Sequence, residues 1–266
     1  MSSAKYPSDW ERYDRKTVLL RYFGLLLALM AFVVAWRALN VNYGFILDVY
    51  PPLADLFSRM YPPEVYYTAE IVSPVIETVN ISILGTILAL FLATPVAYLG
   101  AENTTPNRAT LALGKFIISA SRSVNVIIWA LIFVVVFGPG AFAGVMAVGV
   151  RSIGFCAKLI GESIEEIDPG QVEAIRATGA NGIQELIYGV AAQIKPAFVG
   201  VAVYRWDINI RASTVLGLVG AGGIGQELQR AINSFQWDQV LTILLVILFL
   251  VVVSEGVSAY SRQKVS

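Results

Sequence analysis

The chain has 266 residues, and its 19 Lys and Arg balance 19 Asp and Glu, so the net charge is zero. Hydrophobic residues make up 56% and charged residues only 14%, which is too apolar for a soluble domain of this length and indicates a polytopic membrane protein. The neutral balance argues against a nucleic-acid partner, and the absence of histidine removes the commonest general base and transition-metal ligand.

Residues 1–17 are a polar leader with Lys5, Arg12, Arg15 and Lys16. The first candidate span, 18–39, is long enough to cross a bilayer, which needs about 20 apolar residues. Arg21 and Arg37 lie near its ends, where long side chains snorkel. No small-residue cleavage site follows the charged leader, so no cleaved signal peptide is expected. Asn40 to Ser73 is a connection rich in proline and tyrosine. In it Pro51-Pro52 and Pro62-Pro63 bracket LADLFSRMY, a short amphipathic piece expected at the membrane surface.

Residues 74–99 are the second span, with Glu77 and Asn80 near its start, and a polar link with Glu102, Arg108 and Lys115 follows. Residues 116–137 read as the third span. Its first half, ISASRSVN, is polar and is expected to face protein or water. Gly138-Pro139-Gly140 is a tight turn, so the fourth span, 141–160, forms a hairpin with the third. Arg151 lies in the middle of the fourth span. Cys156, the sole cysteine, is in the same apolar run and reads as inert packing. The polar stretch 164–196 leads to the fifth span, 197–218. A glycine-rich loop with a short polar helix, 220–238, leads to the sixth, 239–260. No soluble domain and no repeat interrupts residues 1–266, which form one transmembrane domain.

With six spans and the N-terminus inside, Lys5, Arg12, Arg15, Lys16, Arg108, Lys115, Arg176, Lys195, Arg262 and Lys264 are cytoplasmic, and only Arg59 and Arg230 fall clearly outside. The expected location is the inner (plasma) membrane, with both termini cytoplasmic and the lipid bilayer as the first partner.

Within 164–196, Asp168-Pro169-Gly170 ends the preceding element, because proline cannot donate and glycine allows φ > 0. Gln171 to Thr178 is rich in helix formers, Gly179-Ala180-Asn181-Gly182 breaks that helix, and Ile183 to Tyr188 starts a second short one. The unit can present a small knob to a partner. Its segment EAIRATGA, with Glu173, Ala174, Arg176, Ala177, Gly179 and Ala180, resembles the cytoplasmic coupling loop of ABC importer permeases, whose motif has Glu-Ala-Ala and a glycine six residues after the glutamate. Together with YRWDINIRASTVLGLVGAGGIG, it is similar to the permeases of phosphonate importers over roughly residues 70 to 260.

That resemblance implies an all-α integral membrane fold of about six transmembrane helices, the type I ABC importer permease architecture with a cytoplasmic coupling helix. It implies two ATPase subunits that bind ATP and Mg, an extracytoplasmic phosphonate-binding protein, and no cofactor, metal or catalysis in this chain. A two-fold ATPase pair needs two coupling loops and one chain supplies one, so a second copy of the chain is expected in a homodimer. Importers for phosphite, phosphate or another small oxyanion are alternatives, as is a stand-alone membrane channel. An intramembrane enzyme would need a catalytic cluster on the spans, and none is visible. Two departures from the family stand out. Ala191-Ala192 replace its Leu-Pro, with Pro196 following later, so the loop is expected to exit differently. Arg122-Ser123 are kept, but Asn125 and Val126 stand where its Pro-Glu would follow, so any role of that acid is absent.

Arg205, Asp207, Asn209 and Arg211 are the strongest chemical signal within a span, with Arg151 and Arg122 adding positive charge. Asp207 and Arg211 are spaced i,i+4 and can pair, which leaves Arg205 the freer cation. The planar guanidinium fork suits tetrahedral oxyanions. Two readings stay open for the cluster, a translocation pathway and an ion-pair network that fixes packing. Gly220, Gly222, Gly223 and Gly225 spell GxGxxG, the outline of a dinucleotide fingerprint. The flanking apolar runs are bilayer-length, whereas buried strands run about 4–8 residues, which excludes that reading. A tight extracellular turn and a re-entrant gate loop remain. Glu173 has no partner acid, histidine or metal cluster, so it is expected to hold the coupling helices in place by hydrogen bonds or an ion pair, for which Arg176 is the candidate partner.

Overall fold

The computed structural model describes residues 13–40, 43–44 and 48–265, and Lys5 and Arg12 of the leader lie outside them. Among the described residues every regular element is helical. The chain divides into two compact units, residues 1–56 and 57–266. The first unit carries α1 (Arg15–Ala38), an apolar helix of 24 residues with Arg37 in its last turn. Along it Arg21 lies 3.8 Å from the centroid of the Tyr13 ring, and Phe32 stacks on Trp36. The helix α2 (Tyr50–Met60) crosses the division between the units. Pro51 and Pro52 form its first turn rather than bracketing it, since a missing N–H costs nothing there.

The second unit is built on α3 (Val72–Gly100) and α6 (Ala141–Glu165). Their contact follows from a stripe of small residues on each. On α3 these are Ser82, Gly85, Thr86, Ala89, Ala93 and Ala97, which follow helical spacing along one face and are all buried. Without bulky side chains between them the backbones approach closely, which is how helices pack where lipid supplies no hydrophobic drive. Cys156 is fully buried in the same seam, between Ala93, Ala97 and Ile160.

Residues 116–137 are not one straight span. They fall in α4 (Arg108–Ser123) and α5 (Val126–Phe137), which meet at 90°. The cause is local: Val124 is extended, and the Asn125 side chain accepts from the Ile127 N–H at 3.0 Å, capping a new helix. Asn107 caps α4 in the same way. Among the described residues five helices are long and apolar enough to cross a membrane, and six if the α4–α5 pair counts as one span.

After α7 (Pro169–Ala177) comes α8 (Gly182–Val219), continuous over 38 residues. The short second helix expected after the glycine turn is thus the start of the fifth span. Ala191-Ala192 is where a π-helical turn, Glu185–Ala191, returns to α-helix, and an alanine keeps the N–H that a proline would remove. The fold closes with α9 (Ile224–Asn233) and α10 (Trp237–Val265).

Between α8 and α9 the glycine loop is buried, not a surface turn. Gly220, Gly222 and Gly223 all have positive φ. The Gly220 carbonyl accepts from the Gly140 N–H at 2.9 Å, and Thr78 Oγ1 accepts from the Ile224 N–H at 2.8 Å, which caps α9 from α3. A Cβ on Gly222 would lie 2.8 Å from the Ala141 backbone and 2.7 Å from the Glu77 carboxylate. Gly138 also has a positive φ, +87, but faces open space. Gly138→Ala should therefore cost only backbone strain, about 1–3 kcal/mol. Gly222→Ala adds overpacking against a fixed backbone, about 1–3 kcal/mol more. Thermal unfolding of the purified variants in detergent checks this, and equal losses would place the loop out of contact with α6.

Candidate functional site

Two sets of residues stand out, one at each of two levels of the bundle. The first is a hairpin made by α7 and the start of α8. Asp168 caps α7, accepting from the Gly170 N–H at 2.8 Å, and Pro169 opens the helix. The turn needs Gly179 at φ +84, and Asn181 then starts α8 with a reciprocal capping box to Gln184. Gly189 faces Val172 of α7, where a Cβ would stand at ordinary contact distance, 3.4 Å from the Val172 Cα. Gln193 closes the base of the hairpin: its Oε1 accepts from the Asp168 N–H at 2.9 Å, and its Nε2 donates to the Gly189 carbonyl at 2.8 Å.

The ion pair of the hairpin differs from the expected one. Arg176 pairs with Glu185 across the turn, not with Glu173. Glu173, Ala174, Arg176, Ala177 and Gly179 are exposed and Ala180 is half-buried, so the tip stands free of the rest of the chain. A cleft of about 600 Å³ runs beside it, lined by Glu165, Glu173 and Glu185 among others.

The second set lies along α8. Arg205 Nε donates to Ser152 Oγ of α6 at 2.8 Å. Ser152 Oγ is also 3.1 Å from Asn209 Oδ1, and Asn209 Nδ2 donates to Thr86 Oγ1 of α3 at 2.9 Å. This buried network ties α3, α6 and α8 together. Asp207 faces the other way. Arg211 donates to its Oδ2 at 2.5 Å and Ser254 of α10 to its Oδ1 at 3.1 Å. The spacing of Asp207 and Arg211 thus forecast their pairing, and Arg205 has no carboxylate within ion-pair distance among the described residues. Arg205 is nonetheless only 7% exposed, whereas the Arg211 side chain is 41% exposed. Arg151 precedes Ser152 on α6 and is half-buried, without a carboxylate partner among the described residues. Arg122 runs its stem along Gly154, one turn further.

Sequence reasoning missed Ser152, Thr86, Ser254 and Phe155, which surround these groups. The signal for the serines and threonine was polar residues recurring at helical spacing in apolar runs, as in Ser82-Thr86 and Ser254-Ser258. The GxGxxG glycines sit at the opposite end of α8 from the hairpin, between two helices of bilayer length. No group of three metal-ligating side chains occurs among the described residues. Outside the spans, Tyr67, Glu227 and Arg230 bond together and join the 3-10 turn Val65–Ala69 to α9. Burial, and then the Glu227 carboxylate, push the Tyr67 phenol up.

Residues 85–266 match the family model of the binding-protein-dependent transport system inner membrane component. The chain belongs to that family. This permease is 38% identical over 241 residues to the phosphite transport system permease protein PtxC of Stutzerimonas stutzeri, covering 91% of the chain and 86% of the relative. It is 38% identical over 219 residues to the phosphate-import permease protein PhnE of Mycolicibacterium smegmatis, covering 82% of the chain and 41% of that longer relative. The fold matches the methionine ABC transporter MetNI in an inward-facing conformation at a TM-score of 0.66, with 21% identity, covering 76% of the permease and 99% of that chain. The permease is therefore the membrane-spanning component of an ABC importer, and its fold is that of the type I permeases.

The exposure of the two members of the ion pair sets an asymmetry. Asp207 is 6% exposed and Arg211 41% exposed on their side chains. Arg211→Gln leaves a buried carboxylate with one neutral donor, which should cost about 3–5 kcal/mol. Asp207→Asn leaves a cation that reaches the open side and should cost less. Yield and thermal stability of the purified permease check the order, and Arg211→Gln plus Asp207→Asn should recover part of the loss. A more stable Arg211→Gln than Asp207→Asn would contradict it.

Proposed function

We propose that this permease moves a phosphorus oxyanion, phosphonate or phosphite, through a homodimer driven by two cytoplasmic ATPase subunits and fed by an extracytoplasmic binding protein. The observation that carries the substrate class is Arg205. It is a buried guanidinium in mid-span with no carboxylate to neutralise it among the described residues, and Arg151 adds to the same positive field. An intramembrane charge is expensive and marks a substrate path by default. Arginine's fork offers a tetrahedral oxyanion two parallel donors. The names of the relatives, phosphite and phosphate permeases, point to the same chemistry. Phosphate remains the alternative cargo. A stand-alone channel is disfavoured because it has no use for a braced, free-standing hairpin.

The hairpin is the proposed ATPase contact. Its tip residues Glu173, Ala174, Arg176, Ala177, Gly179 and Ala180 have the exposure a docking knob needs, and Gln193 with the Arg176–Glu185 pair makes it stiff enough to transmit force. The residues Gly220, Gly222, Gly223 and Gly225 are the proposed gate on the far side, since an irregular backbone within a bundle is tolerated only against protein or water. The second copy is supported by Arg211. Its exposed guanidinium shares an α8 face with Tyr204, Ile208 and Val215, and lipid is a poor neighbour for it. A second permease, with a wet path between the copies, covers that face. The orientation that places the basic loops inside also puts the hairpin and both termini in the cytoplasm.

Reconstitution of the permease with its ATPase and binding protein tests the pathway. Arg205→Gln should assemble and hydrolyse ATP at the normal rate but lose uptake of methylphosphonate and phosphite by about tenfold or more, the effect of one charge-assisted bond. Normal uptake at normal yield would remove Arg205 from the path. For orientation, single cysteines in a Cys156→Ala background are probed with a membrane-impermeant thiol reagent on intact cells. Asn233→Cys should label and Asn181→Cys should resist, and labelling of Asn181→Cys from outside would overturn both the orientation and the ATPase contact.

A further inference from the structure

A second line of cations lies between α4 and α6, and a cavity joins them. Ser121 pins the two helices together: its Oγ donates to the Val150 carbonyl at 2.6 Å and accepts from the Gly154 N–H at 3.2 Å. The next residue, Arg122, is thereby held beside the middle of α6, with its stem on Gly154. There it lies within electrostatic reach of Arg151, and Arg151 lies within reach of Arg205. Guanidiniums from α4, α6 and α8 are thus brought together, and none has a carboxylate at ion-pair distance among the described residues.

From Arg122 a groove of about 410 Å³ runs between α4 and α6 toward the hairpin end of the bundle. Lys115, Ser119 and Arg122, spaced i, i+4 and i+7, turn one face of α4 to it, and Lys158, Glu162 and Glu165 line it from α6. Lys158 is seven residues beyond Arg151, so it stands roughly 10 Å nearer the hairpin on the same helix face. The charges are graded along the groove. At its outer end Lys158 pairs with Glu162 at 3.4 Å and Lys115 with Glu102 at 2.7 Å, whereas Arg122 at the inner end is exposed and unpaired among the described residues. Lipid is a poor neighbour for an exposed, unpaired cation at mid-span depth, so the groove opens on the wet path rather than on acyl chains. The outer pairs are exposed and weak, so an arriving anion replaces their carboxylates at little cost.

We propose that this groove is the exit station of the pathway. A tetrahedral phosphorus oxyanion leaving Arg205 is caught by the Arg122 fork and the Ser119 hydroxyl, then released past Lys158 and Lys115 on the hairpin side. The inference rests on the pathway reading of Arg205. A single buried cation would hold the anion, whereas a second, exposed site lets it leave, and Glu162 and Glu165 repel it from the outer end. The phosphate of an anionic lipid headgroup has the same chemistry, and the depth of Arg122 favours the cargo over it.

The test uses the complete transporter, reconstituted in vesicles of phosphatidylcholine alone and of phosphatidylcholine with phosphatidylglycerol, with methylphosphonate and phosphite as probes. Complex yield, and the KM and maximal rate of uptake, are measured. Arg122→Gln should keep yield, because Arg122 bonds no other side chain among the described residues, and KM, because the binding protein captures the substrate. It should lower the maximal rate by about tenfold in both kinds of vesicle. Arg122→Lys should recover part of that rate, and Ser119→Ala should lose about threefold. Arg108→Gln changes a basic residue of α4 outside the groove and should match the parent. Phosphite added on the ATPase side should slow uptake by the parent but not by Arg122→Gln, a difference that a structural role would not produce. Equal slowing of both, or a loss confined to vesicles with phosphatidylglycerol, would overturn the station, the latter assigning the groove to lipid. Parent rates for Arg122→Gln beside a slow Arg205→Gln would overturn the station and leave the pathway reading standing. Normal uptake by Arg205→Gln would remove the pathway reading, and the station with it.

Discussion

A bilayer interior offers no water to a polar group, so any polar group placed there is bonded within the protein or faces a wet cavity. This constraint organises the middle of the permease. Thr86, Ser152, Arg205 and Asn209 meet each other's donors and acceptors across three helices. Each bond contributes only about 0.6 kcal/mol on average in a membrane interior. Their value lies in register. Thr86 and Ser152 accept only the helix face that carries Asn209 and Arg205, so α8 cannot rotate or slide against α3 and α6 without stranding a polar atom. The opposite face of α8 is held in the same way by Asp207 and Ser254.

Once the register is set, the two ends of α8 inherit fixed positions. At one end the helix continues unbroken into the hairpin, so the segment that carries Arg205 and the segment that carries Glu185 are one rigid element with a π turn between them. Such turns recur at functional sites, and this one lies where Gly189 faces Val172 of α7. At the other end the buried glycines stitch α8 to α6 through Gly140 and to α3 through Thr78. A movement imposed at the hairpin therefore has a direct mechanical route to the glycine loop.

The same geometry divides the arginines by task. Arg211 has a carboxylate and reaches the open side, whereas Arg205 is buried, holds a neutral serine and lies against an aromatic ring. A paired cation shapes a surface with little net field. An unpaired one in a low dielectric projects its charge, which along the proposed pathway would favour anions.

By itself the sequence determined what local rules control. Bilayer-length apolar runs are visible because only a continuous helix satisfies its backbone in lipid. The Asp207–Arg211 pair follows from i,i+4 spacing, and the glycine turns at 138–140 and 220–223 follow from backbones that need positive φ. The all-helical membrane fold and the glycine turn after Thr178 were legible on those grounds, whereas the family came from the resemblance of EAIRATGA and the later glycine-rich motif. The tertiary structure decided the rest. The 90° break between α4 and α5 rests on Asn125 acting as a helix cap, a choice that an apolar window averages away. Arg176 pairs with Glu185 rather than Glu173 because the Gly179 turn folds α8 back against α7, and no spacing rule along one helix predicts a partner across a turn. The burial of Arg205 and the exposure of Arg211 depend on which face of α8 meets α3, α6 and α10. Ser152, Thr86 and Ser254, which lie 53, 123 and 47 positions from their partners on α8, set that orientation, and only folding brings them within hydrogen-bond reach.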